Sequence, residues 1–203
     1  MAKYLARQRH PPAPTWKAFL QTHVSQRAAV DFFTVPAATF RVLFVLVVLS
    51  HERRRILHVN VTHHPTSAWT RQQLREAFPW DSAPRFVLWD RDRIYGAGFG
   101  ATARSMGIEE VLTAPRSPWQ NPFVERVIGS IRRECLDHVM IWNERSLRRM
   151  LQQYVGYYHH WRTHLALDKG APAPRPAQAP GCGGIIEVPH IGGLHHHDER
   201  RAA

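Results

Sequence analysis

The sequence predicts an α/β domain: a mixed five-stranded sheet flanked by helices. Three observations predict it. Residues 28–35, 39–49 and 55–62 are successive runs rich in branched apolar side chains, joined by short polar turns. Such spacing favours an antiparallel meander. After residue 62 the chain alternates helix-period and strand-like segments, which demands crossover connections and parallel strands. Finally, 203 residues with 44% hydrophobic content suffice for one core domain with tails. The predicted organisation is a basic arm with a short helix at 1–25, the core at 26–169, and a Pro/Gly-rich tail at 170–203.

In chain order, residues 1–14 read as an extended basic arm, and 15–26 as a short helix capped by Thr15 with Trp16, Phe19, Leu20 and Val24 on one face. The first strand, 28–35, carries an embedded Asp31. The second, 39–49, is apolar throughout and reads as central. In the third, Ile56, His58 and Asn60 alternate against Leu57, Val59 and Val61, so one face is more polar. Thr66 caps a helix at 67–78 that turns Trp69, Leu74, Ala77 and Phe78 inward. Residues 85–89 form a short strand ending at Asp90. A helix at 96–106 is stopped by Gly107, and 110–112 is a last short strand. A proline-rich loop (Pro115, Pro118, Pro122) then enters a helix running to Asp137 or His138. Its apolar residues Val124, Val127, Ile128, Ile131 and Cys135 recur at helical spacing. Asn143 caps a long helix reaching Arg162, in which Tyr154, Tyr157, Tyr158 and Trp161 read as core. The histidine groups at 63–64, 159–160 and 195–197 read as turn and surface residues.

Composition narrows the function. The net charge is +11, from 27 Lys+Arg against 16 Asp+Glu. Lysine is confined to Lys3, Lys17 and Lys169, so arginine carries the charge. Its planar fork suits phosphate oxygens, and a polyanion partner is expected. Cys135 and Cys182 have no CxxC partners, which argues against a zinc site or a disulfide framework. The N-terminus does not read as a secretion signal. The longest apolar run, 40–49, is interrupted by Arg41 and falls far short of the roughly 20 residues a membrane helix needs. The expected setting is the cytoplasm, in association with the nucleoid, with no membrane partner.

Three acids stand where such a sheet would gather them: Asp31 in the first strand, Asp90 at the end of the fourth, and Glu125 at a helix start. Converging carboxylates repel, and divalent cations held by oxygen ligands relieve that repulsion. Two such ions about 3.5–4 Å apart can activate an attacking hydroxyl and stabilise the leaving oxygen at a phosphodiester. Arg132, seven residues after Glu125, returns to nearly the same side of its helix, roughly 10 Å along the axis.

These residues carry a resemblance. AVDFFTV around Asp31, VLWDRDRIYG around Asp90, and SPWQNPFVERVIGSIRRECLDH around Glu125 resemble the catalytic core of the DDE integrase/transposase superfamily, as found in bacterial insertion-sequence transposases. The later YYHHWRTH, from Tyr157 to His164, resembles that family's YNxxRPH-like helix end. The resemblance covers about residues 25–180. It implies an RNase H-like fold, and metal-dependent DNA cleavage and strand transfer during transposition or integration. It also implies two Mg²⁺ or Mn²⁺ ions on Asp31, Asp90 and Glu125. By the same resemblance Arg132 contacts DNA, Asn121 lies near the substrate end, Tyr95 matches an aromatic position, and the chain works as a homo-oligomer on element ends and target DNA; Asn121, Arg126, Arg132 and Arg133 are the expected DNA-binding residues.

Two departures bear on the site. Asp92 stands where a glycine is usual and competes with Asp90 as second ligand, and Trp89 is expected to crowd the site. The chain also begins about 30 residues before Asp31, without the usual helix-turn-helix region. The alternative is a catalytically silent, truncated remnant that binds DNA or a full-length partner.

Overall fold

The structure, a computed structural model, describes residues 23–79, 82–113 and 121–202. Most of the expected helix at 15–26, and Pro115 and Pro118 of the proline-rich loop, lie outside the described residues.

The central sheet has five strands in the order β3-β2-β1-β4-β5. They are β1 (Arg27–Pro36), β2 (Val42–Ser50), β3 (Ile56–Thr62), β4 (Phe86–Trp89) and β5 (Glu109–Leu112). β1, β2 and β3 pair antiparallel, and β4 joins β1 in parallel, as β5 joins β4. Leu43 and all residues from Val45 to Leu49 are fully buried, because β2 is covered on both faces. That accounts for its unbroken apolar sequence. It starts later than expected: Phe40, at φ 60°, takes a turn conformation no strand residue adopts.

Alternate β1 residues feed two cores. Ala28 and Val30 join Leu46, Val48, Val87 and Trp89 on one face. Helices α1 (Ser67–Ala77) and α2 (Phe99–Ser105) cover it through Leu74, Ala77, Phe99 and Ala103. Thr66 caps α1 by accepting from the Trp69 backbone N–H at 3.2 Å. The polar side of β3 is explained here: the buried Gln73 of α1 accepts from Asn60 at 2.6 Å and bonds His58 at 2.8 Å. α2 is shorter than the expected 96–106, because Gly96 has φ +72° and packs on Ser67 where a Cβ would collide. A 3₁₀ turn, Arg93–Tyr95, precedes it. Gly107, at φ +74°, ends it as expected.

Ala29, Phe33 and Val35 face the other core with Val45, Val47 and Leu88. α3 (Pro122–Glu134) and α4 (Glu144–His160) cover this face. From α3 it takes Val124, Val127, Ile128 and Ile131, and from α4 Leu147, Leu151, Tyr154 and Tyr158. α3 stops at Glu134, and Leu136–His138 is a 3₁₀ turn. Asn143 and Ser146 form a reciprocal capping box on α4. Cys135 is buried, and burial pushes its thiol up to about 11, so it packs as a small apolar side chain.

The segment read as a Pro/Gly-rich tail instead contains an antiparallel hairpin of β6 (Gly184–His190) and β7 (His195–Arg201). Its His195 and His197 are packing residues, not idle surface. The His195 ring stacks on Tyr157 at 4.5 Å, and its Nε2 donates to the Glu134 carbonyl at 2.7 Å. His197 stacks on Trp161, so the hairpin covers the C-terminal end of α4.

Candidate active site

β1 and β4 run parallel, with Ala29 opposite Leu88. Extending that register by two residues sets Asp31 level with Asp90, at the C-terminal end of β4. In a strand, residues two apart share a face. Asp31 therefore lies on the face of Ala29 and Phe33, and Asp90 on the face of Leu88, which is the α3 side of the sheet. Val124 and Val127 seat the first turn of α3 on that face, which delivers Glu125 to the same edge.

The electrostatics register this convergence. The Asp31 carboxyl is pushed up to about 7, first by burial, then by Glu125 and more weakly by Asp90 and Asp92. Only the Phe32 N–H, donating at 2.7 Å, opposes the shift. Asp90 is raised by burial, against the Asp92 backbone N–H, which lowers it more than the Asp92 charge raises it; Glu125 is raised by burial and then by Asp90. Carboxylates are raised by one another, with no cation among the causes. Among the described residues no three Asp, Glu, His or Cys side chains are grouped tightly enough to hold one ion as they stand. The donor set nevertheless fits a hard divalent cation: oxygen ligands only, with negative charge that only an added cation would offset.

Asp92 has a different job. Its Oδ1 accepts from Ile94 N–H at 3.0 Å and caps the Arg93–Tyr95 turn. Its own N–H donates to Asp90 Oδ1 at 3.1 Å. Asp92 thus holds the loop that presents Asp90, and adds its charge to the cluster. Tyr95 is fully buried, and its hydroxyl donates to the Val30 carbonyl at 3.2 Å. That bond ties the loop after Asp90 to the backbone immediately before Asp31. Trp89 does not crowd the site. Strand alternation sends it to the opposite face, against Tyr95 at 5.0 Å and Phe99 at 4.8 Å.

The four residues expected at DNA do not form one surface. Asn121 is buried at the start of α3, and its Oδ1 has no hydrogen-bond partner among the described residues. Arg132 donates to the Thr34 carbonyl at 3.1 Å and lies 5.1 Å from the Phe33 ring centroid, so it ties α3 to β1 on the Glu125 side. Arg126 projects from the other flank of α3, about 100° on from Glu125, and the exposed Arg133, seven residues later, returns to nearly the same side as Arg126.

The residue that sequence reading passed over is Glu134. Arg162 grips both its carboxylate oxygens, at 2.6 and 2.7 Å, and the Tyr154 hydroxyl donates to it at 2.7 Å. Burial alone would raise this carboxyl, but the bonds from Arg162 and Tyr154 outweigh burial and lower it. The arginine of the YYHHWRTH motif is therefore a clamp between α4 and α3. No local signal links residues 28 positions apart; only the helix packing shows it.

Comparison with known proteins agrees with this geometry. Residues 106–172 match the Integrase core domain family. The chain is 26% identical over 146 residues, 71% of its length, to the uncharacterized 39.2 kDa protein of insertion element IS476 from Xanthomonas euvesicatoria. It spans 42% of that protein's length. Among solved structures it resembles a chain of the simian T-cell lymphotropic virus intasome complex (TM-score 0.60, 13% identity, 80% of this chain and 61% of that one). It also resembles the HTLV-2 integrase catalytic core bound to magnesium (0.57, 12%, 73% and 93%) and the catalytic domain of Mos1 mariner transposase (0.58, 13%, 70% and 78%). The mixed sheet and its flanking helices are those of RNase H-like integrase and transposase cores.

Proposed function

We propose that this chain, an integrase/transposase catalytic core, cleaves DNA at the ends of a mobile element and joins the freed 3′ ends to target DNA. The observation that carries this reading is the uncompensated carboxylate cluster at one edge of the sheet. Asp31, Asp90 and Glu125 would hold two Mg²⁺ or Mn²⁺ ions. When bound, the ions would make a water or a 3′-hydroxyl a competent nucleophile at a phosphodiester and stabilise the departing oxygen. The protein's own part is placement. β1 and β4 hold two carboxylates at one level, α3 supplies the third, and the Tyr95–Val30 bond fixes their spacing. Asp90 fits the second ligand better than Asp92, because Asp92 already serves as a turn cap. Cleavage puts water across one phosphodiester and leaves a 3′-OH and a 5′-phosphate. Joining exchanges that hydroxyl for another at the target phosphodiester, and no protein-bound intermediate is needed. Action on DNA in the cytoplasm, by a self-associating chain, follows from the same reading. The likeness to an intasome chain and to a core described in a trimeric form supports the self-association. With Trp89 on the far face, crowding no longer argues for the silent remnant.

The test is a strand-transfer assay on duplexes carrying candidate element ends, with Mg²⁺ or Mn²⁺. Joining should require Asp31, Asp90 and Glu125 and should survive Asp92→Asn in part. Joining by Asp90→Asn at the wild-type rate would remove Asp90 from the site.

A further inference from the structure

A second charged site lies on the flank of α3 turned away from the carboxylates. Arg54, Phe123, Arg126, Ser130, Tyr158, Arg162 and His164 line a cleft between α3, the end of α4 and the β2–β3 turn. Its charges do not cancel. The Arg162 fork is spent on Glu134. Burial, and then Arg162 and Arg54, push His164 down to about 4, so it is neutral near pH 7. Arg54 and Arg126 remain, and among the described residues neither guanidinium has a carboxylate partner. Arg54 is half-buried, and its guanidinium carbon lies 5.2 Å from the Phe123 ring centroid. Burial, and then the neighbouring Arg126, lower its pKa.

Two like charges facing one cleft with no acid between them are unfavourable unless an anion joins them. The backbone is also arranged for it. Arg53 and Arg54 both take positive φ, 47° and 56°, a conformation that non-glycine residues rarely adopt outside functional turns. The Arg53 side chain holds the turn by donating to the Ala171 and Pro172 carbonyls at 3.0 and 2.8 Å. That turn lays Arg54 over Phe123.

We infer that Arg54 and Arg126 form a phosphate-binding subsite for the DNA backbone, separate from the carboxylate edge, with the Ser130 hydroxyl available as a further donor. The subsite rests on the proposed action on DNA and assigns a second anchor to it. A duplex held at both flanks of α3 would be fixed across the helix that carries Glu125. Arg132, on the first flank, is already tied to β1; the second flank carries the arginines with unused donors.

The experiment measures duplex binding as a function of salt for the full chain and for Arg54→Gln, Arg126→Gln and the double variant, with melting temperatures as the folding control. The double variant should bind about tenfold more weakly, with a salt slope shallower by about 0.9, as for one lost phosphate contact. It should melt close to wild type, since the relieved repulsion offsets the lost Arg54–Phe123 contact. Arg126→Lys should restore part of the affinity. Wild-type slope and affinity in the double variant would overturn the subsite and leave the carboxylate reading intact. Failure of the wild-type chain itself to bind duplex would overturn both. Inorganic phosphate supplies the third arm. If it stabilises wild type as strongly as duplex does, and the double variant loses that effect without losing DNA affinity, the site takes a free anion and the DNA assignment falls.

Discussion

Glu125 and Glu134 sit at opposite ends of one helix and obey opposite rules. Glu134 is met on three sides: two bonds from Arg162, one from Tyr154. Glu125 is met by other acids, and its nearest electrostatic neighbour is Asp90. One carboxyl is lowered, the other raised, although burial pushes both the same way. The difference teaches how to separate structural from catalytic acids in this fold. A structural acid arrives with its counter-charge built in; the acid proposed to be catalytic is left wanting a partner that the chain does not provide. The contrast yields predictions that differ in kind.

The largest effect belongs to the unpaired end. Asp90→Asn and Glu125→Gln should each lower strand transfer at least about a thousandfold, the several kcal/mol that metal-centred charge stabilisation supplies. Neither should lower the melting temperature in metal-free buffer, because each removes a repelling charge. Single-turnover joining assays and thermal melts check both halves. A variant that loses activity and also melts well below wild type would mean that Glu125, like Glu134, is structural.

At the paired end the balance reverses. Glu134→Gln leaves a largely buried guanidinium without its counter-charge, at a cost of about 2–3 kcal/mol, read from urea denaturation. It should also loosen the hairpin, since His195 docks on the Glu134 backbone. Ion binding at the other end of the helix, measured by calorimetry, should be retained wherever the variant is folded. Loss of ion binding in a folded variant would show that the two ends are coupled.

pH gives a third contrast, carried by two histidines held neutral in the fold. His51 is buried, with neither ring nitrogen bonded among the described residues, and burial and then Arg27 push it down to about 3. It packs edge-on against Phe123 near the start of α3. His159 accepts from the Ile56 N–H at 3.0 Å, and burial and then Arg55 push it down to about 4. Both are neutral in the fold, whereas the unfolded chain binds protons on them near pH 6.5. The unfolded state therefore holds more protons between about pH 6.5 and 4. The stability these neutral rings contribute is complete above pH 6.5 and is lost as pH falls through that window. The paired Glu134, being lowered, adds a loss of the same sign at lower pH. His159→Gln should flatten the upper part of the curve, as followed by chemical denaturation at stepped pH.

Much of this was readable beforehand. The strands and the long helices announce themselves by periodicity, and the Thr66 and Asn143 caps by residue type. The motifs around Asp31, Asp90 and Glu125 carry their order in the sequence. What was not readable depends on contacts between distant segments. The hairpin at 184–201 reads as tail because Pro189 and the glycines around it resemble linker, and it docks through histidine rings whose partners are Tyr157 on α4 and Trp161 just beyond it. Trp89 looked like an obstacle because sequence proximity to Asp90 says nothing about face; strand alternation puts neighbours on opposite sides. Arg126 and Arg132 looked alike as bases beside an acid, and the helix separates them.

That last separation supports the smallest prediction. Arg132 bonds the Thr34 carbonyl and lies over Phe33, two exposed contacts that together contribute about 1 kcal/mol. Arg132→Ala should cost that much in urea denaturation. Arg126→Ala, which breaks no bond seen among the described residues, should cost nothing measurable. On DNA the order should invert, with the salt slope falling more for Arg126→Ala than for Arg132→Ala. If Arg132→Ala instead leaves stability unchanged and takes the larger share of the salt slope, then its bond to β1 is exchanged for phosphate when DNA arrives. The tie between α3 and β1 would then belong to the DNA-free state alone, and the first flank of α3 would be the main phosphate contact after all.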